Sequence, residues 1–215
     1  AGKALFQRRR GGLGIALGLL YRASCFLWLL CFVWVEVLEK STYLNHYYLM
    51  TLLGILLLLS PLHRSHSIDV LRGAVQPSKW PPYWCLFVLR FQVAVVYFFA
   101  GIAKLNSDWL LRGEPMRTWL SAGSDVPVLG FFCGFGETAV LLSWLGALYD
   151  LTIPLWLSLS RTRALAFSTV VVFHVLTWML FPIGVFPWLM ILSATLFFEP
   201  TWPGDLAARL RGDSV

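Results

Sequence analysis

Residues 83–105 read YWCLFVLRFQVAVVYFFAGIAKL, a run of 23 residues in which only Arg90, Gln92 and Lys104 are strongly polar. A helix needs about 20 apolar residues to cross the hydrocarbon core of a bilayer. The run is continuous and does not alternate apolar with polar positions, so a helix is expected and not a barrel strand. Five further runs have the same character: Ala23–Leu38, His46–Ser60, Glu137–Ser158, Ala164–Phe181 and Val185–Phe198. Several fall short of a full span, so some are expected to be tilted, half-buried by neighbours or re-entrant. The stretch Val128–Cys133 is too short to cross and reads as a surface or half-helix lead-in.

Composition agrees with that reading. The chain of 215 residues is 58% hydrophobic and only 13% charged, where a soluble domain carries about 25% charged residues. Such a chain cannot cover itself with polar groups in water. Disordered, collagen-like and disulfide-scaffold classes are excluded by the same figures. The expected fold class is all-α: a polytopic transmembrane helical bundle with about six spanning or partly spanning helices. The net charge of +6 is spread between apolar runs and forms no patch, so it points to orientation in a bilayer and to no nucleic-acid partner.

Gly12–Leu20, behind Arg8-Arg9-Arg10, is only nine residues long. It resembles the tail of a helix begun upstream. A signal peptide is the weaker reading, because no small-residue cleavage site leads into a polar mature domain. A fragment or shortened homologue is therefore expected, with a transmembrane domain over residues 1–203, truncated at its N-terminus, and a polar tail over 204–215. No repeat or soluble domain is visible.

If the six runs alternate, one face receives Arg22, Arg64, Arg72, Lys79, Arg161, Arg163, Arg209 and Arg211. The other receives Lys40, Arg112 and Arg117, offset by Glu39, Asp108, Glu114 and Asp125. The excess of basic residues assigns the first face to the cytoplasm. Cys25, Cys31, Cys85 and Cys133 lie within or beside apolar runs at spacings unlike a zinc site, so they read as small buried hydrophobes and no metal is expected.

With charge so scarce, ionisable groups inside the runs are candidate functional groups. Lys104 shares a helix face with Arg90, Ala94, Tyr97, Gly101 and Asp108 by steps of three and four. Stripped of water there, a lysine can serve as a neutral amine base. The plainer reading is an i,i+4 ion pair with Asp108 or snorkelling to the interface. Asn45-His46 opens a run, where an imidazole beside an amide could orient a phenol or quinol; the plainer reading is a helix start capped by Asn45. His174 sits in mid-run, and a lone histidine there is most often hydrogen-bonded to a neighbouring helix. Asp150 lies deep in its run and needs a partner, for which Arg90, Lys104 or a histidine qualifies. Glu137 suits a helix start, and Glu36 is close enough to the end of its run to reach the interface. The assumed alternation puts His46, Lys104 and His174 in the non-cytoplasmic half of the membrane.

Several stretches then resemble a known family. They are Gly18-Leu19-Leu20-Tyr21-Arg22 with Ser24-Cys25, Asn45-His46 with Tyr48-Leu49, and His66-Ser67-Ile68-Asp69. Next come Val96-Tyr97-Phe98, Ala100-Gly101, Lys104-Leu105, Asp108-Trp109 and Phe173-His174. Leu180-Phe181, Ile183-Gly184, Phe186, Met190 and Pro200-Thr201-Trp202-Pro203 close the series. In order and spacing the chain is similar to the vitamin K-dependent gamma-carboxylases, within the wider group of HTTM (horizontally transferred transmembrane) proteins, as a microbial homologue or fragment.

The resemblance implies a membrane enzyme that oxidises vitamin K hydroquinone with O2 to the epoxide. That oxidation is coupled to removal of a glutamate γ-proton and uptake of CO2, a carbon–carbon lyase chemistry. It implies that Lys104 deprotonates the hydroquinone, that Asn45 and His46 belong to the quinone site, and that His174 matches a family histidine; with His174, the residues Asp108, Asp150 and Tyr97 are the expected supporting groups from their places in the runs. The implied partners are membrane lipid, a quinone and a glutamate-containing protein substrate. The implied location is a bacterial cytoplasmic (inner) membrane, with the site near the non-cytoplasmic face.

The chain also departs from the family. The extra-membrane domain that engages the protein substrate in larger members is not in this sequence, and the Lys-Lys pair of animal enzymes is Ala103-Lys104 here. The competing expectation is a non-catalytic membrane module that binds a quinone or lipid for a partner protein. A transporter is less favoured, because no inverted repeat is present. The orientation has a direct test: a membrane-impermeant thiol reagent added to intact cells is expected to label Ser121→Cys and to spare Ser78→Cys, and the reverse pattern would invert the topology.

Overall fold

A computed structural model describes residues 12–38, 44–122, 136–181 and 183–212. Arg8–Arg10, Glu39, Lys40, Asp125 and the Val128–Cys133 stretch lie outside the described residues. Every regular element among the described residues is helical. In chain order the α-helices are α1 (Tyr21–Leu38), α2 (Asn45–Leu59), the single turn α3 (Ile68–Leu71), α4 (Tyr83–Ala103), α5 (Met116–Ala122), α6 (Gly136–Ser158), α7 (Arg163–Leu180), α8 (Phe186–Ala194) and α9 (Trp202–Arg211). A 3-10 turn covers Leu62–Arg64, a π-helical turn Asp108–Arg112, and a second 3-10 turn Thr195–Phe197.

The helix boundaries fall within two residues of the six apolar runs, with the 3-10 turn Thr195–Phe197 counted as the end of α8. Among the described residues, four helices are long and apolar enough to cross a membrane: α1, α4, α6 (from Glu137) and α7. Asn45–Leu59 and Phe186–Phe197 are shorter apolar helices. The protein is thus a helical integral membrane protein with four helices of spanning length. Residues 202–211 are helical where a polar tail was expected from 204.

The chain forms two compact units, residues 1–89 and 90–215, and α4 begins in the first and ends in the second. In the first unit, α1 packs on α2. The approach is close because position 54 is glycine: a Cβ there would lie 2.9 Å from Trp28 and 3.0 Å from Leu29. Phe32 is fully buried and stacks on Trp28, with Tyr47 edge-on to it. Cys25 and Cys85 are buried free thiols, and Cys31 is half-buried.

The start of α1 is held by a residue 48 positions downstream. Asp69 accepts the N–H of Leu20 at 2.9 Å through Oδ1 and of Tyr21 at 3.0 Å through Oδ2. These are N-terminal helix donors with no partner inside the helix, and a carboxylate is well matched to the positive end of the helix dipole. The N–H of Asp69 donates in return to Gly18 O, and Arg72 pairs with the carboxylate at 3.0 Å. Ser67 caps α3 by accepting the N–H of Val70. Gly18 has φ of +59°, and a Cβ there would stand 2.3 Å from the Ser67 Cβ, so glycine is required on both counts. From the other end, Tyr21 Oη and Arg22 Nη1 donate to Leu57 O and Leu58 O at the end of α2. The stretches Gly18–Arg22 and His66–Asp69 therefore form one clamp.

In the second unit, α7 packs against both α6 and α8, and α5 and the π-helical turn pack against α6. Arg90 places its guanidinium at the end of the last apolar helix, donating through Nε to Leu196 O at 2.7 Å and through Nη2 to Phe198 O at 3.1 Å. A cation at a helix C-terminus satisfies open carbonyls and the negative end of the dipole. The π-helical turn is tied to α6 by two crossed indole bonds, Trp109 Nε1 to Ser143 O and Trp144 Nε1 to Leu110 O.

The Asp69 clamp generates a prediction. Its carboxyl is held below the usual carboxylate range, first by the N–H of Tyr21, then by that of Leu20 and by Arg72. A depressed carboxylate stabilises the fold fully above its unfolded value of about 3.9 and loses that contribution as pH falls through the lower folded value. Asp69→Asn should therefore reduce stability at neutral pH by about 1.5–3 kcal/mol, the worth of hydrogen bonds to a charged group. In thermal unfolding in detergent, the gap between variant and parent should close as the solution is acidified below pH ~4. A gap that is the same at all pH values would contradict the clamp.

Candidate functional site

The candidate site lies in the second unit, on α4, α6 and α7. α4 buries Val93, Tyr97 and Gly101, and the apolar face of α7 buries Ala166, Val170 and His174. Helices α4 and α6 approach closely at Gly101, where a Cβ would lie 2.6 Å from Leu151 Cγ and 3.1 Å from Leu151 N. Small residues permit such approaches between apolar helices. One turn on, this contact sets Lys104 opposite Asp150, the residue preceding Leu151.

Lys104 Nζ donates to Asp150 Oδ2 at 2.5 Å, with the two side chains 19% and 7% exposed. Nζ also donates to Ala100 O at 3.2 Å and lies 5.1 Å from the centre of the Trp109 ring. The ammonium thus has a carboxylate, a helix-terminal carbonyl and an aromatic face around it, all of which attract a cation. Asp108 is not its partner. Helix α4 stops at Ala103, and Asp108 enters the π-helical turn, where it pairs with Arg112 at 2.9 Å on an exposed surface. The i,i+4 pair that local spacing suggested is replaced by one between helices.

Beside this pair lies a chain of neutral polar groups. Tyr149 Oη is 3.5 Å from Tyr97 Oη, and Tyr97 Oη is 3.0 Å from His174 Nε2. Tyr97 and His174 are 2% and 1% exposed. His174 Nδ1 is buried with no hydrogen-bond partner. Around them, Phe173 stacks on Tyr149 at 4.1 Å and Phe186 meets the His174 ring edge-on. His174 is hydrogen-bonded to a neighbouring helix, as the plainer reading had it.

Lys104, Asp150, Tyr97 and His174 are therefore held on neighbouring helices of one unit, and Asp108 faces elsewhere. Asn45 and His46 belong to the first unit. There Asn45 is exposed at the first position of α2, and the cap is Leu44, with no side-chain bond, in place of the expected Asn45 cap. His46 is buried and edge-on to Tyr47 at 4.6 Å. Sequence reasoning passed over Tyr149 and Trp109 as site residues. The signals available were the adjacency of Tyr149 to Asp150 and of Trp109 to Asp108. Trp109 also lines an open depression of about 540 Å³ with Asn106, Asp108, Arg112, Glu114 and Pro115. Among the described residues, no three His, Cys, Asp or Glu side chains are grouped to hold a metal ion.

No solved structure matches the chain. The profile of the HTTM domain family matches residues 6–202, which takes in nearly the whole chain and every residue of the site. The chain belongs to the HTTM domain family.

Proposed function

We propose that the protein is a gamma-carboxylase-like membrane enzyme that oxidises a reduced quinone of the vitamin K type with O2, with Lys104 as the base. The carrying observation is the Lys104–Asp150 contact, an amine and a carboxylate 2.5 Å apart on apolar helices. The surroundings suit a hydroxylated aromatic ligand: Trp109, Tyr149 and Phe173 offer ring faces and edges, and the unpartnered His174 Nδ1 is a buried polar atom able to meet a hydroxyl. A reduced vitamin K supplies the acidic hydroxyl and the electrons that pass to O2.

The chain's own part is proton transfer. Lys104 passes a proton to Asp150 across their contact, and the freed amine accepts the proton of the ligand hydroxyl. In a dry site, separated charges are costly and a neutral amine–acid pair becomes accessible. Asp150 thus keeps Lys104 in place and stores the proton it must lose to become a base. Tyr97 and Tyr149 hold the His174 ring in one orientation through their hydroxyl chain. Asn45 and His46 are proposed as further quinone contacts on the strength of the family resemblance alone. Coupling to glutamate carboxylation with CO2 is proposed only when the substrate-engaging domain is supplied. The proposed setting is a bacterial cytoplasmic membrane, with the site toward the non-cytoplasmic face.

A second reading has its own support. A lysine already satisfied by a carboxylate, a carbonyl and an indole is also what a structural ion pair looks like. In that case the protein is a module that binds a quinone or lipid for a partner.

The test is epoxide formation by protein reconstituted with reduced vitamin K and O2. Lys104→Ala should lose at least about 100-fold in rate, the usual worth of a positioned base, with quinone binding retained. Asp150→Asn should lose about 10- to 100-fold of the rate while still binding quinone. Lys79→Ala, an exposed lysine in the first unit, should retain full activity. Quinone binding without epoxide in the unsubstituted protein would establish the second reading. Equal epoxide from Lys104→Ala and Lys79→Ala would remove the first.

A further inference from the structure

Beyond Trp202 and Pro203, the helix α9 is accounted for by neither the site nor the family resemblance. At about 100° per residue, Trp202, Pro203, Leu206, Ala207 and Leu210 of α9 fall in one arc of its surface. Arg211, Gly204, Ala208, Asp205 and Arg209 fill the remainder, with the two arginine positions at opposite edges of the apolar arc. The middle of that arc faces away from the protein: Trp202, Leu206 and Leu210 are 36%, 48% and 81% exposed. Asp205, Ala207 and Ala208 are half-buried, and Gly204 and Arg211 are exposed.

Its neighbours locate it relative to the membrane. Arg163, at the start of α7, donates to Leu157 O and Ser158 O at the end of α6, and pairs at 3.7 Å with Glu199, just past the last apolar helix. Three helix ends therefore meet at one level, marked by charged side chains, and that level is a membrane boundary. Only two residues separate Glu199 from Trp202, a reach of about 10 Å at most over three chain steps. A helix tethered so closely, with an exposed apolar stripe, has the bilayer itself as the nearest apolar phase.

We propose that α9 is an interfacial helix that lies along the membrane surface, with Trp202, Leu206 and Leu210 inserted at the boundary between headgroups and acyl chains. Tryptophan favours that depth, and an amphipathic helix with basic edges lies in the plane of the interface. The exposed Arg161 and Arg211 add positive charge on the same side, so the occupant is a bilayer surface containing anionic lipid. Docked in this way, α9 closes the polypeptide beyond the last apolar helix against the membrane. The proposal is independent of any quinone chemistry.

The test uses the full chain in vesicles of phosphatidylcholine with phosphatidylglycerol, in a background with the native cysteines replaced and helical circular dichroism retained. Nitroxide labels are placed one at a time at Leu206→Cys, Leu210→Cys and Gly204→Cys. At 206 and 210, collisions with O2 should exceed those with a water-soluble nickel chelate several-fold, and at 204 the order should reverse. Nickel access at all three positions would overturn the proposal, as would shielding from both reagents at 206 and 210, which marks a protein contact. A photo-crosslinking residue at Leu210 provides a second measurement that keeps the native cysteines: crosslinks to lipid support docking, and crosslinks to protein alone overturn it.

Discussion

A polar group carried into hydrocarbon by an apolar helix has no water to turn to, so its partner must come from the protein. With 13% charged residues, this chain has few such groups, and Arg90, Lys104 and His174 are each answered from another element or from a helix end. Arg90 reaches the carbonyls of Leu196 and Phe198. Lys104 reaches Asp150, and His174 reaches Tyr97. At the first helix, Asp69 supplies the acceptor that two N–H groups lack. These contacts are specific where apolar packing is not, and they determine which helix faces meet within each unit.

The helices themselves were legible because a membrane span is a local property. Length and continuous hydropathy located all six apolar helices to within two residues, counting the 3-10 turn after α8, and the shortness of several runs already implied that some would not span; which ones was not legible. The pairing of charges was not legible. For Lys104 the nearest acid in sequence was Asp108, correctly spaced for a continuous helix. Helix α4 ends before that spacing takes effect, and the π-helical turn carries Asp108 to Arg112. The true partner is 46 residues away, brought close by an approach that Gly101 allows. Asp150 could be recognised as needing a partner, but only the fold selected among the three offered.

The stretches that carry the resemblance also divide into two physical roles. Gly18–Arg22 and His66–Asp69 form an architectural clamp at the start of α1, with a glycine that admits no side chain and a carboxylate that takes the place of a local cap. Tyr97, Lys104 and His174 sit in the second unit among aromatic rings, with Asp150 supplied from a stretch the resemblance did not mark. The family match takes in both the clamp and the candidate site, and the proposed chemistry is concentrated in the Lys104–Asp150 pair.

That exchange is the central claim, and it has a direct spectroscopic signature. Infrared difference spectra should be recorded on the reconstituted protein as reduced vitamin K is added without O2. The account predicts the carbonyl-stretch band of a protonated carboxylic acid in the complex, present in the parent protein and missing in Asp150→Asn. Epoxide formation by the parent on admitting O2, with no such band in the complex, would contradict the transfer of a proton from Lys104 to Asp150.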